Sequence, residues 1–524
     1  MTAGGGIGGS RAPDPSALNV LGFLDRWSAG WPDRPALLAP ALQITWTYRD
    51  LDEASRRVAD MLRREGVRRG DRVAFWMGDR PAAVVLLYAA MRLGAPWVPI
   101  NYRFTPNEAR QQLLHARPAV LVTDGVKAPE GRALLERLPD VRLLCEWGDK
   151  DDDPPAVVRR RAAPYGPDDS LGDVVGILYT SGTTGTPKGA VHDHESFLAW
   201  CLAMAHAARW TWGDRVAIPY PLFHMGGVGF VLTVLTVGGT AILTGRPTPE
   251  ELLPLVSRVR ATSLVAPPTV LNNLIRQPSE AFEAWSWDYL TSIVTTSAPL
   301  WDETARALVA RWPAASVTEV YSATEAVFSF LPDLSRPGRL RSVGRPAWGM
   351  EVSIRGGEGE ELPRNVAGLI WTRGTSVFRG YLDPSPEALP RADGWHTCND
   401  VGYLDDDGYL YIIDRQNDLI NSGGEKISSG EVEDLLLQHP AVLEAAVIGL
   451  PDAIWGERVH AVVALRPEAV ETATMEHDIL AWCQGRMAAF KLPKTVRIVD
   501  QLPKSPVGKL LKRVLRATEH RAES

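Results

Sequence analysis

The sequence predicts an α/β protein: a large multi-sheet N-terminal domain followed by a small α+β domain. Three observations carry this. Apolar runs alternate with amphipathic segments between Arg72 and Thr123, an apolar run at Val174 to Tyr179 opens directly into a loop of glycines and hydroxyl residues, and beyond Tyr403 short strand-like runs and two helical segments share the last ~110 residues.

The first 15 residues are rich in Gly, Ser and Pro and are expected to be a disordered tail. Gly4, Gly6 and Gly9 satisfy Gly-x-Gly-x-x-Gly there, but no strand precedes them and no amphipathic helix follows, so the dinucleotide-binding context is missing. From Arg72 the expected order is strand Val73 to Trp76, helix Ala82 to Arg92, strand Trp97 to Ile100, helix Pro106 to His115 and strand Val120 to Thr123. This is βαβ alternation, the pattern of a parallel sheet. Residues 147 to 173, with Asp151 to Asp153 beside Pro154, Pro155 and three arginines, read as a surface loop; Asp169-Ser170-Leu171 within it reads as linker. Gly226 to Gly245 is uncharged and glycine-rich, which suits a buried helix and strand better than a membrane span. In the last part, strands are expected at Tyr409 to Ile413, Ala445 to Ile448 and His460 to Leu465, with helices at Gly430 to Gln438 and Met475 to Arg486. The expected organisation is a tail over 1–15, an N-terminal domain over 16–416 and a C-terminal domain over 417–524.

Composition narrows the function. The 524 residues are 45% hydrophobic and 23% charged, with a net charge of -7, the balance of a soluble globular chain. A mildly acidic chain with no basic stripe before its end offers no footprint for nucleic acid. The four cysteines form no Cys-x-x-Cys pair, so neither a disulfide framework nor a zinc cluster is expected, and a reducing cytoplasm fits. No signal-peptide or lipidation pattern is present, and no integral membrane association is expected.

Lysine is scarce: nine lysines stand against 47 arginines. Five of the nine fall in the last 34 residues, and Lys188 sits alone in the glycine-rich loop. Where a chain otherwise writes positive charge as arginine, a retained ammonium points to a compact, movable charge.

The loop reads Thr180-Ser181-Gly182-Thr183-Thr184-Gly-Thr-Pro-Lys188-Gly. Glycines let backbone N–H groups approach anionic oxygens, hydroxyls donate, and the ammonium neutralises. The spacing differs from a Walker loop, which needs four residues between its glycines and Ser or Thr after its lysine. Preceded by Tyr179, this loop resembles the signature of the adenylate-forming superfamily of acyl-CoA synthetases, peptide-synthetase adenylation domains and luciferases, and further motifs follow in the family's order from about Thr45 to Arg516.

The resemblance implies roles. Tyr321-Ser322-Ala-Thr324-Glu325 is similar to the family's Tyr-Gly-x-Thr-Glu, in which Thr meets phosphate oxygens and Glu holds Mg²⁺; read alone, Ser322-x-x-Glu325 also fits a helix capping box. Ser297-Ala298-Pro299 stands where the family has Gly-Ala-Pro beside adenine. Asp400 matches the aspartate that takes both ribose hydroxyls, Arg415 also reaches the ribose, and Ile412 completes the nucleotide set. Asn399 replaces a family glycine, and Asn417 falls at the hinge where Asp or Lys is usual. His224, in Pro221-Leu-Phe-His-Met, matches a histidine near the acyl group, whereas residue types alone favour a satisfied core histidine. His192-x-His194 is a weak metal signal. Lys509 matches the catalytic lysine of a mobile loop.

The implied enzyme is an AMP-forming acid–thiol ligase using ATP, Mg²⁺ and coenzyme A, with Lys509, Thr324, Glu325 and His224 as catalytic residues. A rotation of the mobile C-terminal domain would exchange Lys509 for Ser422, Gly423, Gly424 and Lys426, which would meet coenzyme A. No charge appears in Met225 to Phe230 or Thr295 to Leu300, which favours an apolar acyl or aryl acid. Transfer to a carrier protein or a nitrogen nucleophile is the alternative. An amino-acid adenylation domain is disfavoured, because His224 and Met225 stand where an aspartate would hold the amine.

Overall fold

The computed structural model describes residues 19–148, 155–160, 173–180, 188–245, 248–298, 300, 302–331, 341–382, 393–423, 425–469, 471–504 and 510–523. The expected tail, the Asp169 triplet and the site residues Ser181, Gly182, Thr183, Thr184, Pro299, Gly424 and Lys509 lie outside these. The chain divides into two compact units. Unit 1 comprises 1–264, 324–326 and 375–389; unit 2 comprises 265–323, 327–374 and 390–524. The expected boundary at 416/417 falls inside unit 2.

Unit 1 is built on an eight-stranded sheet. Its central order is Lys188–Asp193, Val174–Thr180, Trp97–Pro99, Val73–Trp76, Val120–Asp124 and Leu143–Trp147, flanked by Gly380–Tyr381 and Ala156–Arg160. The expected βαβ elements are present, with helices Pro81–Leu93 and Pro106–Ala116. Strand Val73–Trp76 is buried throughout and pairs in parallel with both Trp97–Pro99 and Val120–Asp124. A continuous apolar run is what a strand covered on both faces requires. Thr105 and Glu108 form a capping box at the start of one helix, and Gly94, at φ +63°, ends the other.

The 147–173 loop expectation needs correction. Ala156–Arg160 is a strand, antiparallel to Leu143–Trp147. It lies at the sheet edge, where arginines among the valines disguise the strand pattern. A further run in unit 1 includes Arg215–Ile218, Thr240–Leu243 and Pro35–Ala39 in parallel. Met225–Thr236 is a wholly buried helix leading to the buried strand Thr240–Leu243, as the uncharged run suggests. Among the described residues, no helix is long and apolar enough to cross a membrane.

In unit 2, Ser292–Thr295 pairs in parallel with Ser316–Ser322, which turns back antiparallel to Val327–Leu331. This excludes the capping-box reading of Ser322 and Glu325: they flank a strand-to-strand connection, and no helix begins there. A four-stranded sheet orders Met350–Arg355, Gly368–Gly374, Asp400–Leu404 and Leu410–Arg415. The last sheet combines Ile420–Ser422, Glu425–Ile427, Val442–Asp452, Gly456–Leu465 and Thr495–Ile498, with helices Ser429–Leu437, Met475–Cys483 and Lys512–Glu523. Helix Met475–Cys483 stops short of the expected Arg486 because Gln484 is extended and Gly485 turns to φ +72°.

Candidate functional site

The sequence-selected residues fall into three groups, one in unit 1 and two in unit 2. In unit 1, Thr180 ends one strand and Lys188 begins the next, the two paired directly across an antiparallel ladder. The phosphate-type segment therefore connects two strands paired as a β-hairpin. The following helix begins only at His194, capped by Asp193, so the loop is not carried on a helix N-terminus.

Thr324 and Glu325 also belong to unit 1, and three contacts hold them there. The carbonyl of Thr324 is bonded by His192 Nε2 at 2.7 Å, the Glu325 carbonyl accepts from the Phe378 N–H at 2.8 Å, and Glu325 Oε1 accepts from the Tyr381 hydroxyl at 2.6 Å. His192 is fully buried, with its ring packed on Phe197 and Phe378. Burial depresses its pKa, partly offset by the Thr324 carbonyl and the Glu325 charge, so the ring is neutral with its proton on Nε2. His192 is thus committed to the Thr324 carbonyl, and the His192-x-His194 pair is a backbone anchor and a helix start. Glu325 is itself buried, and among the described residues no ion pair engages its carboxylate.

His224 caps the buried helix: its Nδ1 accepts from the Gly226 N–H at 3.0 Å, which puts the ring proton on Nε2. The Pro221–Phe223 segment before it is pinned by Asp79, which accepts from Leu222 N–H at 2.7 Å and Tyr102 hydroxyl at 2.8 Å. Gly227 cannot be replaced, since a Cβ there would lie 2.0 Å from the Pro221 carbonyl oxygen.

The second group gathers Tyr321, Asp400 and Arg415 in unit 2. Asp400 is buried on its strand; one carboxylate oxygen accepts from the Tyr321 hydroxyl, and Arg415 Nε stands 3.4 Å from the other. Burial weakens the Arg415 cation, but Asp400, Cys398, Asp418 and Tyr321 together more than compensate and its pKa rises. Burial and the Asp400 charge push the Tyr321 phenol well up, so it stays a donor. Ile412 lies on the neighbouring strand and packs in the same apolar cluster as Tyr321. Ser322 Oγ lies 2.9 Å from Thr296 Oγ1. Ser297, beside Ala298, takes φ +81°, and Asn399 takes φ +61°. Both positions demand the left-handed region that glycine enters freely, and asparagine tolerates it better than serine.

The third group lies near the chain end. Asn417 is exposed in the turn between Leu410–Arg415 and Ile420–Ser422. Ser422 is buried, Lys426 is exposed, and Gly423, at φ +63°, leaves room for Trp455, which a Cβ would meet at 2.8 Å. The segment holding Lys509 is closed at its neck by a Lys504–Leu510 bridge and the Leu511 N–H to Pro503 carbonyl bond. Just beyond, buried Lys512 pairs with Glu433 at 2.7 Å, while Asp414 accepts from the Ser429 N–H at 2.7 Å.

Sequence reasoning missed Tyr381, Asp79 and the anchoring role of His192. Their partners lie 56, 143 and 132 residues away, and no local pattern marks them.

Comparison with known proteins gives a consistent picture. A family model described as AMP-binding enzyme matches residues 24–382, and one described as AMP-binding enzyme C-terminal domain matches residues 431–509. Feruloyl-CoA synthase of Amycolatopsis sp. is 33% identical over 498 residues, covering 92% of this chain and 97% of that protein. The ATP-bound crystal structure of MatB from Rhodopseudomonas palustris superposes with a TM-score of 0.83 at 30% identity, over 97% of this chain and 100% of that one. The amide bond synthetase McbA from Marinactinospora thermotolerans gives a TM-score of 0.83 at 28% identity, over 95% and 99% of the two chains.

Proposed function

Because this chain belongs to the AMP-binding enzymes of the adenylate-forming superfamily, we propose that it activates an apolar acyl or aryl carboxylic acid with ATP and passes the acyl group to coenzyme A. The observation that carries this is the buried Asp400, whose carboxylate is oriented by Tyr321 and Arg415. An acceptor-only group held in this way suits the two hydroxyls of a ribose.

In the first half-reaction an oxygen of the acid attacks the α-phosphorus of ATP and the bond to pyrophosphate breaks. Asp400 and Arg415 would hold the ribose, with Ser297, Ala298 and Pro299 beside the base and Tyr321, Ser322 and Ile412 completing the pocket. The hairpin loop, from Thr180 through Ser181, Gly182, Thr183 and Thr184 to Lys188, would surround the phosphates, and Thr324 would donate to them. Glu325 fits a magnesium site: a buried carboxylate beside a neutral histidine, with one hydrogen bond from Tyr381 and further lone pairs, suits a hard cation shared with phosphates. Magnesium bound there would offset charge on the transferring phosphoryl group. Lys509 would add its ammonium to the same charge.

In the second half-reaction the thiol of coenzyme A attacks the acyl carbonyl, and AMP leaves with its oxygen. A swing of residues 417–524 about Asn417 would remove Lys509 and present Ser422, Gly423, Gly424 and Lys426 to the pantetheine arm, with His224 near the acyl group. Similarity to feruloyl-CoA synthase favours an aryl or acyl acid and this acceptor. Similarity to an amide bond synthetase keeps a nitrogen nucleophile as the second reading. An acid-dependent ATP–pyrophosphate exchange screen, followed by mass spectrometry of products with and without coenzyme A, tests both. Adenylate formed without thioester from any accepted acid would overturn the coenzyme A reading.

A further inference from the structure

We propose that Tyr381 is a positioning residue coupling two groups of opposite charge: its hydroxyl orients the Glu325 carboxylate for a divalent cation while its ring face holds the Lys188 ammonium. This rests on the reading of Glu325 as the magnesium carboxylate.

The placement of Tyr381 follows from strand register. Gly380–Tyr381 adds to the edge of the hairpin that carries the phosphate-type loop, with Tyr381 opposite Ala190 and Gly380 opposite Val191. Two further backbone bonds, Arg379 N–H to Val191 carbonyl at 2.9 Å and Leu382 N–H to Gly189 carbonyl at 2.8 Å, fix this short segment at both ends. One side of the ring is then reached by Lys188, whose Nζ is 5.4 Å from the centroid, inside the range of a cation–π contact. The hydroxyl meets Glu325 Oε1 at 2.6 Å, the length of a charge-assisted O–H···O⁻ bond.

The backbone of Glu325 is held independently of that hydroxyl. His192 bonds the Thr324 carbonyl and the Phe378 N–H bonds that of Glu325, and the Phe378 ring packs edge-on against Tyr381 with centroids 4.9 Å apart. Removing the hydroxyl therefore frees only the carboxylate rotamer. Residues that orient a metal-binding carboxylate from the second layer tune metal affinity without touching the metal. A purely packing tyrosine would need neither the 2.6 Å bond nor the ammonium on its face.

The test uses the full chain and two variants, Tyr381→Phe and Tyr381→Leu. Capture of Mn²⁺ in the presence of ATP is followed by the enhancement of water proton relaxation over that of Mn²⁺–ATP without protein, and Mg²⁺ dependence is followed by pyrophosphate exchange. Tyr381→Phe keeps the ring and loses the hydroxyl, so Mn²⁺ capture should weaken about tenfold and half-saturating Mg²⁺ rise about tenfold, with KM for the acid and for ATP at saturating Mg²⁺ unchanged. Tyr381→Leu should add a rise in KM for ATP, because the Lys188 contact is lost as well.

Wild-type Mn²⁺ capture and Mg²⁺ demand in Tyr381→Phe would overturn the inference, as would losses spread equally over acid, ATP and metal. If no acid supports exchange in the wild type, the proposed function fails while the Mn²⁺ titration still reads the role of Tyr381. Absence of Mn²⁺ capture by the wild type would overturn both the Glu325 reading and this inference.

Discussion

Replacing Lys512 by Met should destabilise the C-terminal part of unit 2 by about 3–5 kcal/mol, the scale for leaving one member of a buried ion pair unpaired. Lys512 has only 13% of its side chain exposed and Glu433 only 6%. Burial disfavours the ammonium, but Glu433 and Asp414 more than offset this and raise its pKa; burial also pushes the Glu433 carboxyl up, although Lys512 opposes it. Methionine fills a similar volume, so packing loss is small and the unpaired carboxylate dominates. Glu433 keeps its bond from the Val447 N–H at 2.8 Å, which a glutamine carbonyl could also accept. The double variant Lys512→Met/Glu433→Gln should therefore regain more than half of the loss. Because a chain of two units need not unfold in one step, amide hydrogen exchange in helices Ser429–Leu437 and Lys512–Glu523 is the suitable assay. The single variant should show opening enhanced by about two to three and a half decades, at ~1.4 kcal/mol per decade. Wild-type protection in the single variant, or a double variant as labile as the single, would refute the uncompensated-charge argument.

Lys509→Ala should lower pyrophosphate exchange by ~10² or more while pre-made acyl-AMP still yields thioester, checked in separate half-reaction assays. His192 is held neutral by burial, so the unfolded chain takes up its proton first; stability tied to this residue is complete above pH ~6.5 and is lost as pH falls below it, by up to ~1.4 kcal/mol per pH unit. His192→Gln, which keeps a donor for the Thr324 carbonyl, should flatten that acid limb in melting curves recorded against pH. Ser297→Gly should raise thermal stability by about 1 kcal/mol, because φ +81° strains serine and not glycine, and a lowered melting temperature would show that the serine side chain contributes more than the strain costs.

The parallel βαβ core of unit 1 was legible to within about two residues because strands covered on both faces are written in uninterrupted apolar residues. The long hairpin of unit 2 was read too short. Its strands run over Val442–Asp452 and Gly456–Leu465, but their ends carry Pro451, Glu457 and Arg458, and there the hydrogen-bond ladder outlasts the apolar pattern. At the site, residue type singled out Glu325, Asp400, Arg415 and the loop ending at Lys188. It left Tyr381 and Asp79 unmarked because their positions depend on register and on contacts between distant strands and loops. The departures at Ser297 and Asn399 could be seen in sequence, but their positive φ could not.

The strands that flank the phosphate-type segment are held by one ladder, here the pairing of Thr180 with Lys188. Adding or deleting a single residue within Lys188–Asp193 would slide that strand past its neighbours and invert every side chain beyond the change, dislodging Ala190 and Val191 from the strand that delivers Tyr381. Variation within Lys188–Asp193 is therefore confined to exchanges of side chain at constant length. In a mutational scan, single-codon insertions and deletions between positions 188 and 191 should be among the least tolerated changes in the chain, even where individual substitutions are accepted.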